Sequence, residues 1–404
     1  MDEPRVRDDT QAKWPPGILV TGGLGFLGSH VAMALAQRGL HIYLLARSQN
    51  GVSALERLRL LLDWFGADSV ERTRLHLFQG DLDDPGFGLD PNSRDILANA
   101  VEEIVHCASD TSFSERRRLQ IEKTNVTNLD YLLDFAGASR CRLFHHISTA
   151  YVAGKRTGPC PETFRETDAF TNVYEETKYL AEKRLIERCT ANNLRFNIYR
   201  PSIVYGHSRT GRTFRFNALY YPMRTLAFFK NVYERDIMEG HGEKARAMGV
   251  RMDGDGRLYL PIRFDAAEGN GLNLIPVDYF TQALTALRDE PLEGNGIFHI
   301  VSSKQTEVED LVAFANRFFQ IDGFRAVASE DFVKTPRNGL ESLFERCVET
   351  YQPYMKEGRT FRDDKTRASL EGHRITCPSL NYERFSSCMR YALKTDWGLK
   401  LFHA

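Results

Sequence analysis

Apolar residues gather in short runs that alternate with stretches of helical periodicity through the first half of the chain. Gly17–Thr21, His41–Ala46, Leu75–Gln79, Glu103–Cys107, Arg142–Ser148 and Leu194–Tyr199 read as strands. Between them, Leu24–Gln37, Val52–Phe65, Leu119–Phe135 and Val173–Cys189 read as helices. In the second of these, Leu55, Leu58, Leu62 and Phe65 share one face. Gly39 closes the first. Strands joined through helices can pair in parallel, so the alternation predicts an α/β fold, a doubly wound parallel sheet. Ligands of such sheets sit beyond the carboxyl ends of the strands.

The rhythm breaks after residue 205. Residues 206–272 read as irregular, with an aromatic part (Phe214, Phe216, Tyr220, Tyr221, Phe228, Phe229) and a charged part from Glu234 to Arg251. Pro276–Arg288 and Glu307–Phe319 return to helical spacing around a strand, Gly296–Val301. Three parts are expected. A loose polar tail covers 1–16, a sheet domain takes 17–205 plus 273–319, and a smaller substrate-binding region takes 206–272 plus 320–404. That region is expected over the open end of the sheet. Its aromatic residues either line an apolar pocket or pack as ordinary core.

Composition narrows the class. Lys and Arg number 53 against 54 Asp and Glu, a net charge of −1, so no global field calls for nucleic acid. No apolar run is long enough to span a membrane, and the first residues lack the apolar centre of a signal peptide. Seven cysteines are scattered without a Cys-x-x-Cys pair. This argues against a disulfide framework or a zinc site and points to the reducing cytoplasm. The expected assembly is a monomer or homodimer, and no metal is expected.

Chemistry enters at Leu19–Ser29, Leu-Val-Thr-Gly-Gly-Leu-Gly-Phe-Leu-Gly-Ser. A strand runs into a glycine turn and straight on into a helix, the form of a dinucleotide site. Gly22 permits the turn, Gly25 a close pyrophosphate, and Gly28 tight helix packing. Thr21, Phe26 and Leu27 lie in the same turn, and the helix start offers N–H groups to phosphate. A second motif is Tyr174-Glu-Glu-Thr-Lys178, one helical turn from phenol to ammonium. A lysine there is expected to lower the tyrosine pKa toward working pH and fit it for proton exchange with a carbonyl or alcohol oxygen. Thr149, just past the fifth strand, can hold that oxygen, with Ser148 as the competing hydroxyl.

Over about residues 17–320 the chain resembles the extended short-chain dehydrogenase/reductase superfamily, which implies a Rossmann sheet. The glycine pattern is Thr21 to Gly28, and the active-site pattern is Ser148-Thr149-Ala150-Tyr151-Val152 with Tyr174 and Lys178. The resemblance implies Tyr174 as acid/base, Lys178 on the nicotinamide ribose and Thr149 on the substrate oxygen. It further implies Asp81 and Leu82 at the adenine, Ala108 and Ser109 along the cofactor, and Pro201 to Ile203 at the carboxamide. Within the superfamily the chain is similar to the fatty acyl reductase, male-sterility and thioester reductase branch. The supporting stretches are His106–Glu115, Ile147–Val152 and Arg200–Val204. That branch implies reduction of an acyl-CoA or acyl-carrier thioester to aldehyde or alcohol, with a carrier protein as a possible partner. Val204-Tyr205-Gly206 instead suits a keto/hydroxy oxidoreductase acting on a sterol-like, lipid or secondary-metabolite alcohol. An NADP-binding regulatory module is the non-enzymatic alternative.

Cofactor choice follows from the end of the second strand. NAD enzymes place an acid there for the ribose 2′-hydroxyl. This chain reads Leu44-Leu45-Ala46-Arg47-Ser48, so Arg47, helped by Arg57, is expected on the 2′-phosphate of NADP(H). His106 is expected to be structural. His145 and His146 show no carboxylate at ligand spacing. Arg116 to Arg118 read as a solvated helix start, or as a contact for an acidic carrier or a coenzyme A phosphate. Asn125 is a candidate for holding the active-site backbone or the cofactor.

Overall fold

A computed structural model describes residues 14–266, 269–290, 294–356 and 358–402. Seven strands form the central sheet: β1 Gly17–Thr21, β2 His41–Ala46, β3 Leu75–Gln79, β4 Val101–His106, β5 Leu143–Ile147, β6 Arg195–Pro201 and β7 Gly296–Ile300. They lie in the order β7-β6-β5-β4-β1-β2-β3, and every neighbouring pair is parallel. The strand order reverses between β1 and β4, which opens a crevice at their carboxyl ends. All five residues of β1 are buried, as a strand covered on both faces requires.

Helices cover the sheet where periodicity placed them, with clear start and stop signals. Ser53 caps Ala54–Phe65 by accepting from the Glu56 amide, and Gly66 ends it in the left-handed region. The helix read over Leu119–Phe135 runs from Arg118 to Ala138, but Lys123–Thr127 forms a π turn within it. Among the described residues no helix is long and apolar enough to cross a membrane.

The second region departs from the sequence reading. Residues 206–272 are not irregular: they hold the helices Tyr220–Glu239 and Glu243–Ala247 and the strand Leu258–Asp265. Two features hid the longer helix. Pro222 looks like a breaker, yet it stands in the first turn, where no amide is needed. Phe228 and Met238 are apolar but exposed, which blurs the buried stripe of Tyr220, Met223, Leu226 and Ala227. The strand Leu258–Asp265 pairs in parallel with Ile321–Val327. The helix Val308–Phe319, expected with the central sheet, instead buries Val308, Leu311, Ala315 and Phe319 in this second core. The strand that follows it carries it there.

The two ends of the chain also pack. Residues 1–13 of the expected tail lie outside the described residues, but Trp14 packs against Tyr43, His76 and Phe78. Late in the chain, Arg359–Phe361 pairs in parallel with Gly158–Cys160, a short strand between β5 and the helix Val173–Ala191. This brings the C-terminal region beside the predicted catalytic residues.

Candidate active site

The glycine turn closes against β4. Gly22 has φ +67°, and a Cβ there would lie 2.6 Å from the Ala108 amide nitrogen. A Cβ at Gly28 would lie 2.3 Å from the Gly22 carbonyl. Both positions therefore exclude a side chain. A Cβ at Gly25 would meet only the Gly22 oxygen, at 3.1 Å, so this side of the turn admits a close ligand. Gly25 caps the helix Phe26–Gln37 without a side-chain bond, leaving the amides of Phe26, Leu27 and Gly28 directed outward. These features fit a pyrophosphate.

Arg47 leaves the end of β2 and meets Asp81, beyond β3, at 2.9 Å. Arg57 donates to the Arg47 carbonyl at 2.8 Å. Burial lowers the Arg57 pKa, and the neighbouring Arg215 and Arg47 lower it further. Arg57 with Arg47 and Arg215 close by gathers positive charge that suits a multiply charged anion such as a 2′-phosphate. Arg215 lies in the part of the sequence read as irregular, where no motif marks it. Ser48 is exposed next to Arg47, and Leu82 packs partly against the core of the sheet.

The catalytic candidates meet at the ends of β5 and the helix Val173–Ala191. Asn172 caps this helix by accepting from the Glu175 amide at 3.1 Å. Tyr174 shares a side-chain hydrogen bond with Thr149. Thr149 is buried and donates to the Pro201 carbonyl at 3.4 Å. Ser148 Oγ is buried with no partner among the described residues. Lys178 Nζ donates to the Ile147 carbonyl at 2.6 Å. Burial lowers the Lys178 pKa to about 8, against Glu182 and Cys107, which favour its charge. The expected lowering of the Tyr174 pKa is reversed. Burial pushes the phenol up, outweighing the Thr149 bond that pulls it down, and Glu175 adds to the rise.

Asn125 owes its place to the π turn. It accepts from the Asp110 amide at 2.8 Å and from Ser109 Oγ at 3.0 Å. It donates to the Asp110 carbonyl at 3.0 Å and to Thr177 Oγ1 at 2.9 Å. One side chain thus ties the loop after Ala108 to the helix that carries Tyr174. Ile203 follows β6, and its amide donates to the Asn273 carbonyl at 3.2 Å.

Beside these residues lies a small apolar cavity of about 60 Å³. Its walls include Ile203, Leu219, Met223, Phe264, Val308, Val312, Phe344, Tyr351 and Tyr354. Of the two alternatives for the six aromatic residues, core packing holds: none is among these walls, Phe214 packs with Phe26 and Trp64, and Tyr220 and Phe229 are core. The link to Tyr174 is Phe113, whose ring centroid lies 5.8 Å from those of Tyr174 and Tyr351 and 5.9 Å from that of Tyr354.

Other groups are committed to structure. His145 lies 3.1 Å from Glu103 on β4, a cross-strand carboxylate that linear spacing could not reveal. Arg118 pairs with Glu115, Glu122 and Glu176, and Arg117 with Asp110. Among the described residues no group of three His, Cys, Asp or Glu gathers as a metal site.

The male sterility protein family matches residues 20–284. The chain belongs to this family. It is an extended short-chain dehydrogenase/reductase branch whose related proteins are NAD(P)-dependent reductases. The chain is 23% identical over 394 residues to a linear gramicidin synthase polypeptide of Brevibacillus parabrevis, covering 93% of this chain and 7% of that protein. It is 31% identical over 156 residues to fatty acyl-CoA reductase 2 of Arabidopsis thaliana, covering 35% of this chain and 25% of that one. The chain thus spans a small part of these relatives. The fold matches the terminal R domain of the myxalamid PKS-NRPS pathway with a TM-score of 0.73 at 21% identity, over 96% of this chain and 92% of that one. It matches an archaeal thiolation-reductase di-domain at 0.69 and 18% identity, over 95% and 76%.

Proposed function

We propose that the chain is an NADPH-dependent reductase that converts an acyl thioester to an aldehyde, with Tyr174 as acid/base. The observation that carries this reading is the apolar cavity whose aromatic wall reaches Tyr174 through Phe113. Its wholly apolar lining suits the chemistry of an acyl chain. The relation to fatty acyl-CoA reductase 2 supports the same substrate class. The likeness to a thiolation-reductase di-domain supports delivery of the thioester on a carrier protein. Arg47, Arg57 and Arg215 support NADPH over NADH.

NADPH, when bound, supplies a hydride to the thioester carbon. Thr149 holds the carbonyl oxygen, and Tyr174 gives it a proton, leaving a hemithioacetal. The Lys178 cation, one turn along the helix, stabilises the phenolate left behind. Tyr174 then takes the proton back as the carbon–sulfur bond breaks, releasing aldehyde and thiolate.

The test is NADPH consumption by the purified protein with acyl-CoA or acyl-carrier thioesters, and Tyr174→Phe is expected to reduce turnover by roughly 10²–10⁴-fold. Turnover only with ketones or secondary alcohols moves the assignment to a keto/hydroxy oxidoreductase. A cellular role untouched by Tyr174→Phe points to a regulatory module.

A further inference from the structure

Two imidazoles stand side by side behind Lys178. His106 ends β4, and His146 is its register partner on β5. They are 1% and 0% exposed, and their rings face each other with centroids 5.4 Å apart. His106 Nδ1 lies 2.7 Å from Thr21 Oγ1, at the head of the glycine turn. His146 Nε2 lies 3.4 Å from Lys178 Nζ. The other two nitrogens, His106 Nε2 and His146 Nδ1, are buried with no partner among the described residues.

Packing alone does not explain this pair. A buried nitrogen without a partner destabilises a fold, and an apolar side chain like the adjacent Val105 or Ile147 would remove that cost. Charge gives the reason. Burial holds both rings neutral, and Lys178 opposes their protonation further. A neutral imidazole facing an ammonium can only accept, so the His146 proton sits on Nδ1 and Nε2 is open.

We propose that His146 is a positioning residue for Lys178: its Nε2 accepts from the ammonium and, with the Ile147 carbonyl, fixes Nζ and keeps it charged one turn from Tyr174. His106, tied to Thr21, backs the ring and links the glycine turn to the catalytic lysine. The proposal rests on Lys178 being the lysine of the acid/base pair.

The groups around Lys178 are few. Glu182 and Tyr174 share its helix, His146 and the Ile147 carbonyl come from β5, and His106 and Cys107 come from the end of β4. Glu182 pairs with Arg200 at 2.5 Å. Cys107 is held as the thiol, burial pushing its pKa up to about 12. Glu182 acts on Lys178 through its charge, whereas the two acceptors on β5 are the groups that meet the ammonium directly.

The experiment titrates the Lys178 side chain by its nitrogen-15 resonance in the 404-residue chain, with and without NADP⁺. His146→Leu removes the acceptor, and His146→Gln returns an oxygen near the Nε2 position. The Lys178 midpoint is expected to fall by about one unit in His146→Leu and to recover in His146→Gln. The alkaline limb of kcat/KM is expected to follow. An unchanged Lys178 midpoint in a folded His146→Leu overturns the proposal. If His146→Leu does not fold, His146→Asn, whose side chain stops short of Nζ, takes its place under the same criterion. If no thioester or ketone is reduced, the proposed function fails while the titration still decides the role of His146.

Discussion

Arg359 Nη2 lies 3.2 Å from Glu175 Oε1, and both side chains are almost wholly enclosed. Glu175 follows Tyr174 in the first turn of its helix, whereas Arg359 comes from the late strand Arg359–Phe361. Arg359 also donates to the Gly154 carbonyl and lies over the ring of Tyr151 at 5.0 Å. Removing the guanidinium leaves a buried carboxylate without its cation. Arg359→Met is therefore expected to cost about 3–5 kcal/mol by denaturant unfolding. The double variant with Glu175→Leu is expected to regain part of that loss, which a double-mutant cycle measures.

Cofactor preference provides a second check. Arg47→Ala and Arg215→Ala are each expected to lower the NADPH-to-NADH ratio of kcat/KM by about 10–100-fold, the value of a charge-assisted bond. Parallel kinetics with both cofactors measure the ratio, and an unchanged ratio in both variants refutes the 2′-phosphate assignment.

The apolar cavity predicts chain-length selection. Val312→Phe places a ring where the apolar cavity now lies. Long-chain thioesters are expected to lose about tenfold in kcat/KM while short-chain ones keep their turnover, because one to a few methylenes are worth on the order of 1–3 kcal/mol. A chain-length series measured with wild type and variant separates this from a general loss.

Acid sensitivity centres on Glu103. Burial pushes its pKa up, but hydrogen bonds from His145 and Arg288 outweigh burial and bring it from 4.5 down to about 2. A carboxylate depressed on folding stabilises the protein above its unfolded pKa, and that stability is lost as pH falls from 4.5 toward 2. Thermal unfolding across this range is expected to be steep in wild type and flatter in Glu103→Gln. That variant is expected to be less stable at neutral pH by on the order of 3 kcal/mol.

The sheet was legible in the sequence because its strands are short apolar runs set off by glycine, polar turns and amphipathic helices. The meeting of Tyr174, Lys178 and Thr149 was legible because these candidates stand at one helix start and one strand end. The helix Tyr220–Glu239 was not, since exposed aromatic residues and an early proline mask its buried stripe. The contacts of Arg359, Tyr354 and Arg215 were invisible for another reason. Each acts across a large sequence separation, and a lone arginine or tyrosine carries no period or spacing to mark it. The upward shift of Tyr174 was also hidden, because it depends on burial by residues distant in sequence, such as Phe113, rather than on the Tyr-x-x-x-Lys motif.

The pairing of Arg359–Phe361 with Gly158–Cys160 has a consequence for biosynthesis. The central sheet gains most of its strands early in translation, and domains generally begin folding from the amino end. The brace on the catalytic helix arrives only when residue 359 has been made. A nascent chain can therefore hold an assembled nucleotide crevice well before the helix that carries Tyr174 and Lys178 is braced.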